Sequence, residues 1–396
     1  MSTSAASASV RDSTRWGAYL ACSWTWCIGM FLPVLLLREM GWAGYLIFAV
    51  PNIIGAAAMG WTIKTGSDSV RFVEKHSGAV WWFSAVTLAF HFYWIIWLFR
   101  LLSQALEIPG TWIAGGLGVF GAFVLLIGWT LRRGSVQKSA LVLLALSLTV
   151  VLGTFFSSSL QSTSAALLQS AKPSAEPFWM LPVMIFGFLL CPYLDVTFHH
   201  ARQKLETTSK GRLGFSIGFV LFFPFMIFLT TRYAGIFNTV IDGERITSPL
   251  SPLLAIGILL HILCQWVFTV TVHFDRIRNL PGIGTRKKGL AVLLIPAGMI
   301  GVVVQGLPMY QGLTAGEIGY RLFMSAYGLI FPAYMLYRVI ARNKNGVTSL
   351  YTLWVPIILA MPFFWMGFIE RQSVWLLPGM AVVFLGLVFQ KKSRKI

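Results

Sequence analysis

Long apolar runs alternate with short polar connections along almost the whole chain, and each run has the length of a bilayer crossing. About twelve can be drawn, at 17–37, 42–62, 79–99, 111–131, 139–158, 178–198, 213–231, 251–272, 289–308, 319–338, 350–369 and 372–390. A crossing needs about 20 apolar residues, and a helix satisfies its own backbone polar groups in lipid. A β-barrel would instead show strict alternation over segments of about ten residues. The pattern therefore predicts an all-α polytopic membrane protein.

The first fifteen residues, MSTSAASASVRDSTR, lack the apolar core of a signal peptide and read as a flexible cytoplasmic tail. The connection at 159–177 is Ser/Ala-rich and reads as an external loop. It separates two sets of five spans, 16–158 and 178–345. Two accessory spans at 346–390 and a basic tail at 391–396 follow. The turns Arg38–Gly41 and Glu370–Arg371 are very short, and each can also be read as a kink inside a broken element.

Composition agrees: of 396 residues 57% are hydrophobic and only 11% charged. The net charge of +18 would suit a nucleic-acid binder, but the basic residues gather on alternate connections. Those are Lys64–Lys75, Arg132–Lys138, Arg202–Arg212, Arg276–Lys288, Arg338–Lys344 and the C-terminal cluster. Such alternation orients a multi-pass protein of a cell membrane with both termini cytoplasmic, and argues for lipid rather than nucleic acid as the partner. The four cysteines lie in apolar runs without zinc-site spacing, so no metal site is expected.

Polar groups inside apolar runs carry the functional signal, because lipid exposure is costly for them. Asp195 is the one acid well inside a predicted span, about four residues or ~6 Å from its end. It reads as a structural anchor, as an ion- or proton-coupling group, or as a substrate contact. Just before it, GFLLCPY places Gly187 and Pro192 in mid-span. Proline removes a backbone donor and frees a carbonyl, so the run reads as a kink or as a break lining a cavity. The stretch SWTWCIGMFLP repeats that character with Trp24, Thr25, Gly29 and Pro33. Asn52 requires a hydrogen-bond partner if buried. His261, Gln265 and Thr269 share one helical face, as do Ser84, Thr87 and His91, with Trp94 beside them. His199–His200 reads as interfacial. No HExxH, thiolate cluster or catalytic carboxylate set accompanies these groups, so no enzyme is expected.

The breaks in the first and sixth spans, at equivalent places in two sets of five, resemble the amino acid–polyamine–organocation superfamily with its LeuT-like fold. The sodium:solute symporters are the branch first in view. The resemblance implies a 5+5 inverted repeat, with unwound segments at Ser23–Gly29 and Phe186–Asp195. It also implies a sodium site near Thr269 and Thr271, although two residues apart they do not share one face of a regular helix. Major facilitators have the same twelve-helix outline and stand second.

The favoured expectation is a secondary active transporter of a small organic solute, coupled to sodium or protons. The substrate would meet Trp24, Thr25, Gly29, Asn52, His91, Trp94, Gly187, Tyr193, His261 and Gln265. Asp195, Thr269 and Thr271 would serve the ion or proton. A membrane enzyme, and a sensor or assembly protein that does not transport, are the rivals.

Overall fold

The computed structural model describes residues 3–105, 107, 135–170, 175–242, 251–280, 286–341 and 350–392. The predicted span at 111–131, residues 171–174 and residues 393–396 lie outside them. The described residues are helical almost throughout. Helix α1 (Thr3–Trp24) stops two residues before α2 (Cys27–Thr62), and α3 (Gly66–Lys75) leads into α4 (Ser77–Ala105). Then come α5 (Val136–Thr154), α6 (Ser158–Ser170) and α7 (Glu176–Leu190). A 3₁₀ turn (Cys191–Leu194) joins α7 to α8 (Val196–Lys204). The long α9 (Thr208–Ile241), α10 (Pro252–Ile277) and α11 (Arg286–Val303) follow. Last are α12 (Ala315–Ile340), α13 (Leu350–Phe368) and α14 (Leu376–Lys392).

Among the described residues seven helical stretches are long and apolar enough to cross a membrane: α2, α4, α5, α7 with its 3₁₀ turn, α9, α10 and α12. This corrects the expected twelve-span, LeuT-like 5+5 inverted repeat with two further helices. The predicted spans 17–37 and 42–62 are divided elsewhere, by a break at Trp24–Cys27, and their remainder forms the 36-residue α2. Straight, α2 would be about 54 Å long, against a hydrocarbon core of about 30 Å. It bends at Gly41, whose φ of 58° and ψ of −145° are open to glycine and costly for other residues. The apolar stretches Gly289–Val303, Thr352–Phe368 and Ser373–Val388 fall short of a full crossing. The segment expected to be a flexible tail is helical from Thr3, and Ser158–Ser170 of the external connection is α6.

Local chemistry explains the element ends. Thr65 and Asp68 form a reciprocal capping box at the start of α3. Thr207 caps α9, Thr314 caps α12, and Asp195 caps α8. Pro224 and Pro332 sit just beyond widened π turns at Ile217–Phe222 and Ala326–Ile330. A proline cannot donate to the turn before it, and a π turn absorbs the mismatch.

Burial is distributed as lipid requires. Val142, Leu152, Phe178, Val220, Leu253, Val292 and Met299 are exposed on the outside, whereas Asn52, His91, Asp195, His261, Gln265 and His273 are buried. Within the bundle α2 packs on α7 and α9; α1 packs on α5, α9 and α10; and α4 packs on α10 and α11. The α2–α7 contact is as close as backbone allows: a Cβ on Gly55 would lie 2.0 Å from the Phe188 carbonyl oxygen.

Candidate functional site at two adjacent helix breaks

The first break is closed by donors of its own residues and one from α10. A helix C-terminus leaves four carbonyls without intrahelical donors. Here the Ala21 carbonyl accepts from the Thr25 hydroxyl at 2.8 Å, and that of Ser23 from Trp26 Nε1 at 2.5 Å. Trp24 O accepts from Trp26 N at 2.8 Å, and Cys22 O from Gln265 Nε2. Across the gap Trp26 is extended, and Cys27 N donates to His91 Nε2 at 3.4 Å.

The second break lies beside it. Pro192 falls in the 3₁₀ turn, Asp195 is extended (φ −77°, ψ 117°), and its Oδ1 accepts from Thr197 N at 2.6 Å to open α8. The Thr197 hydroxyl lies 2.6 Å from Asp195 Oδ1 and 3.1 Å from the Ser23 hydroxyl, so the breaks touch. The rings of Trp24 and Phe198 meet 4.9 Å apart. Asp195 Oδ2 makes no hydrogen bond and stands 3.7 Å from His273 Nε2.

A cavity of about 60 Å³ opens between α1, α2, α7 and α12, lined by Trp24, Trp26, Asn52, Gly187, Cys191 and Tyr327 among others. That is well below the roughly 300 Å³ of ordinary ligand pockets. Its walls are mainly apolar, and Trp24 Nε1 donates to Asn52 Oδ1 at 2.6 Å. Glu39 and Met180 also line a second cavity of about 400 Å³, bounded by Arg38, Glu176, Asp242 and Arg371.

Ion pairs stand at this junction. Arg321 joins Glu39 and lies 2.7 Å from Glu317, and Arg38 Nη2 lies 2.5 Å from the same Glu317 oxygen. Arg321 Nη1 also donates to the Phe368 carbonyl at 3.0 Å. The Glu317 side chain is 1% exposed. Sequence reasoning placed these acids at span edges. The signals present were the adjacent Arg38–Glu39 and the four-residue spacing of Glu317 and Arg321, which puts both on one helical face.

Of the residues expected around a solute, Trp24, Gly29, Asn52 and Gly187 line the smaller cavity. Thr25 is turned back onto α1, and His91 binds the Thr87 carbonyl at 2.7 Å while facing Cys27. Trp94 is buried against Phe31. Tyr193 points to the α3 end, where its hydroxyl meets Thr62 at 2.7 Å. His261 and Gln265 lie on α10 with Ser147 and Cys22 as partners. Thr269 accepts from Gln265 at 3.2 Å, and Thr271 is half-buried.

The α3 end is tied together by buried groups. Arg202 donates to the carbonyls of Ile63, at 2.7 Å, and Lys64. His199, expected at an interface, is buried, stacked on Phe72, and held between Ser69 Oγ and the Tyr193 carbonyl at 2.8 Å each. Burial pushes its imidazole down to about 4. Among the described residues no group of His, Cys, Asp or Glu is arranged to hold a metal ion.

No protein-family model matches the chain, and no curated protein matches it in sequence. Fold and buried polar groups together define an all-helical, multi-pass membrane protein.

Proposed function

We propose that this protein is a secondary active transporter of a small organic solute, driven by protons, with the α3 end facing the cytoplasm as its basic clusters require. The observation that carries the reading is the pair of touching helix breaks beside a cavity that shares Glu39 and Met180 with an ion-paired vestibule. Interrupted helices in a bilayer are tolerated where they line a cavity, and they are the elements around which transporters rearrange.

Trp24, Trp26 and Tyr327 offer ring faces to an apolar solute body, and Asn52 offers an amide. The cavity is too small for such a solute as it stands, so loading requires Arg321 and Glu39 to part and α7 to move from α2. The terminal carbonyls of α1 already have protein donors, and Gln265 occupies the one nearest Thr269. This favours protons over the sodium ion that the resemblance implied.

Asp195 is the coupling group in this scheme. Ionised, it caps α8 and faces the positive end of that helix's dipole. Protonation removes the charge and weakens a cap of the kind worth about 0.5–2 kcal/mol, which loosens α8 from α1. The test is uptake by proteoliposomes of a panel of small neutral and zwitterionic organic solutes under an imposed pH gradient. Wild type accumulates at least one solute, and Asp195→Asn exchanges it without gradient-driven accumulation. A panel with no accumulated solute overturns transport; equal gradient dependence in Asp195→Asn overturns the coupling.

A further inference from the structure

Helix α10 carries more buried polarity than the break needs. His261, Gln265, Thr269 and His273 recur every four residues, so each neighbours the next in one row that winds about a third of the way around the helix. All four are buried. The row is about 18 Å long, more than half of the ~30 Å hydrocarbon core.

A buried polar atom without a partner costs about 1–3 kcal/mol, so such atoms are scarce in proteins. This row keeps several: His261 Nε2, Gln265 Oε1 and both ring nitrogens of His273. It ends against Asp195 Oδ2, which is also unpartnered. The groups that do have partners link the row sideways, His261 to Ser147 on α5 at 2.9 Å and Gln265 to Cys22 on α1.

The neighbouring elements add few other ionisable groups. Tyr19, with its hydroxyl unpartnered, and Cys22 face the row from α1; His91 does so from α4, and Asp195 from the N-cap of α8. On α10 itself Arg276 approaches His200 at 3.4 Å. None of the four row residues lines the solute cavity.

We propose that this row is a hydrated track carrying protons between His261 and Asp195, separate from the solute route. Water is the ligand whose donors and acceptors match a mixed row of imidazole, amide and carboxylate atoms. A proton delivered as hydronium near His261 passes along water and imidazole, each relay taking up one proton and releasing one. The net change is one proton moved onto the Asp195 carboxylate, which becomes a carboxyl. The inference rests on Asp195 as the coupling group and adds how the proton reaches it.

The test uses full-length protein oriented in vesicles, a pH jump applied to one face at a time, and time-resolved infrared detection of the protonated carboxyl band. Asp195→Asn identifies the band by its loss. Gln265→Leu and the near-isosteric Thr269→Val are each expected to slow its appearance by about 100-fold, the effect of losing a positioned proton-transfer step. The slowing is expected only from the face nearer His261, with the final amplitude unchanged, which a general structural defect would not produce. Unchanged rates from both faces in both variants overturn the track alone. A wild type whose Asp195 never protonates overturns the coupling reading and the track with it.

Discussion

Replacing Arg321 by Met tests the ion-paired junction between the two cavities. Arg321 bonds Glu39, Glu317 and the Phe368 carbonyl. Without it, among the described residues, Glu39 keeps only Arg38 at 3.9 Å, and the buried Glu317 keeps Arg38 at 2.5 Å. Removing one partner of a buried pair costs about 3–5 kcal/mol. Arg38 remains and the Glu39 side chain is 14% exposed, so the lower end, about 3 kcal/mol, applies. In thermal unfolding followed by tryptophan fluorescence at a fixed scan rate, the expected fall in Tm is roughly 5 °C. Arg321→Met with Glu317→Gln should recover part of that loss, since no buried charge is then stranded. In the same background Met180→Cys should become reactive to a water-soluble thiol reagent, because Met180 borders both cavities. A Tm within a degree of wild type, or a double variant worse than the sum of the singles, would refute the reasoning.

Gly55→Ala should destabilise the protein by about 3 kcal/mol or more, because the new methyl meets the Phe188 backbone. Gly153→Ala, whose nearest contact would be Leu254 Cδ1 at 3.5 Å, serves as the control and should unfold no earlier than wild type. A second expectation concerns acid stability. Burial holds the His199 pKa near 4, so below about 6.5 the unfolded chain takes the proton first. Stability is then lost as pH falls from about 6.5 to 4, by roughly 3 kcal/mol in total. His199→Gln should flatten that part of the profile measured in detergent, and an unchanged slope would count against the assignment.

The polar and proline-bearing stretches within apolar runs marked the breaks well. The interruptions at Trp24–Cys27 and Cys191–Asp195 fall within SWTWCIG and the run ending at Asp195, because hydroxyls and indoles in the first and a proline and a carboxylate in the second leave a local trace. The α10 stripe was equally legible, since period-four polarity survives any tertiary arrangement. Its separation from the smaller cavity was not, because that depends on which neighbours α10 meets. The division of the first spans was only half read: Ser23–Gly29 was marked as a break and Arg38–Gly41 as a turn or a kink, but hydropathy alone does not show that Cys27–Thr62 continues as one bent helix. The ion-pair cluster was hidden most fully. Glu39, Glu317 and Arg321 sit near span ends, where charge is expected, and their pairing joins elements far apart in the chain.

In the proposed transport cycle the cavity beside the two breaks opens to each side of the membrane in turn, and Cys191 lies on its wall. With Cys22, Cys27 and Cys264 replaced by Ala, Cys191 can be probed in oriented vesicles with an impermeant maleimide from either face, under opposite pH gradients. The account predicts labelling from one face under one gradient and from the other face when it is reversed. Cys191 that stays unlabelled from both faces under both gradients, in protein whose unfolding matches wild type, would contradict it.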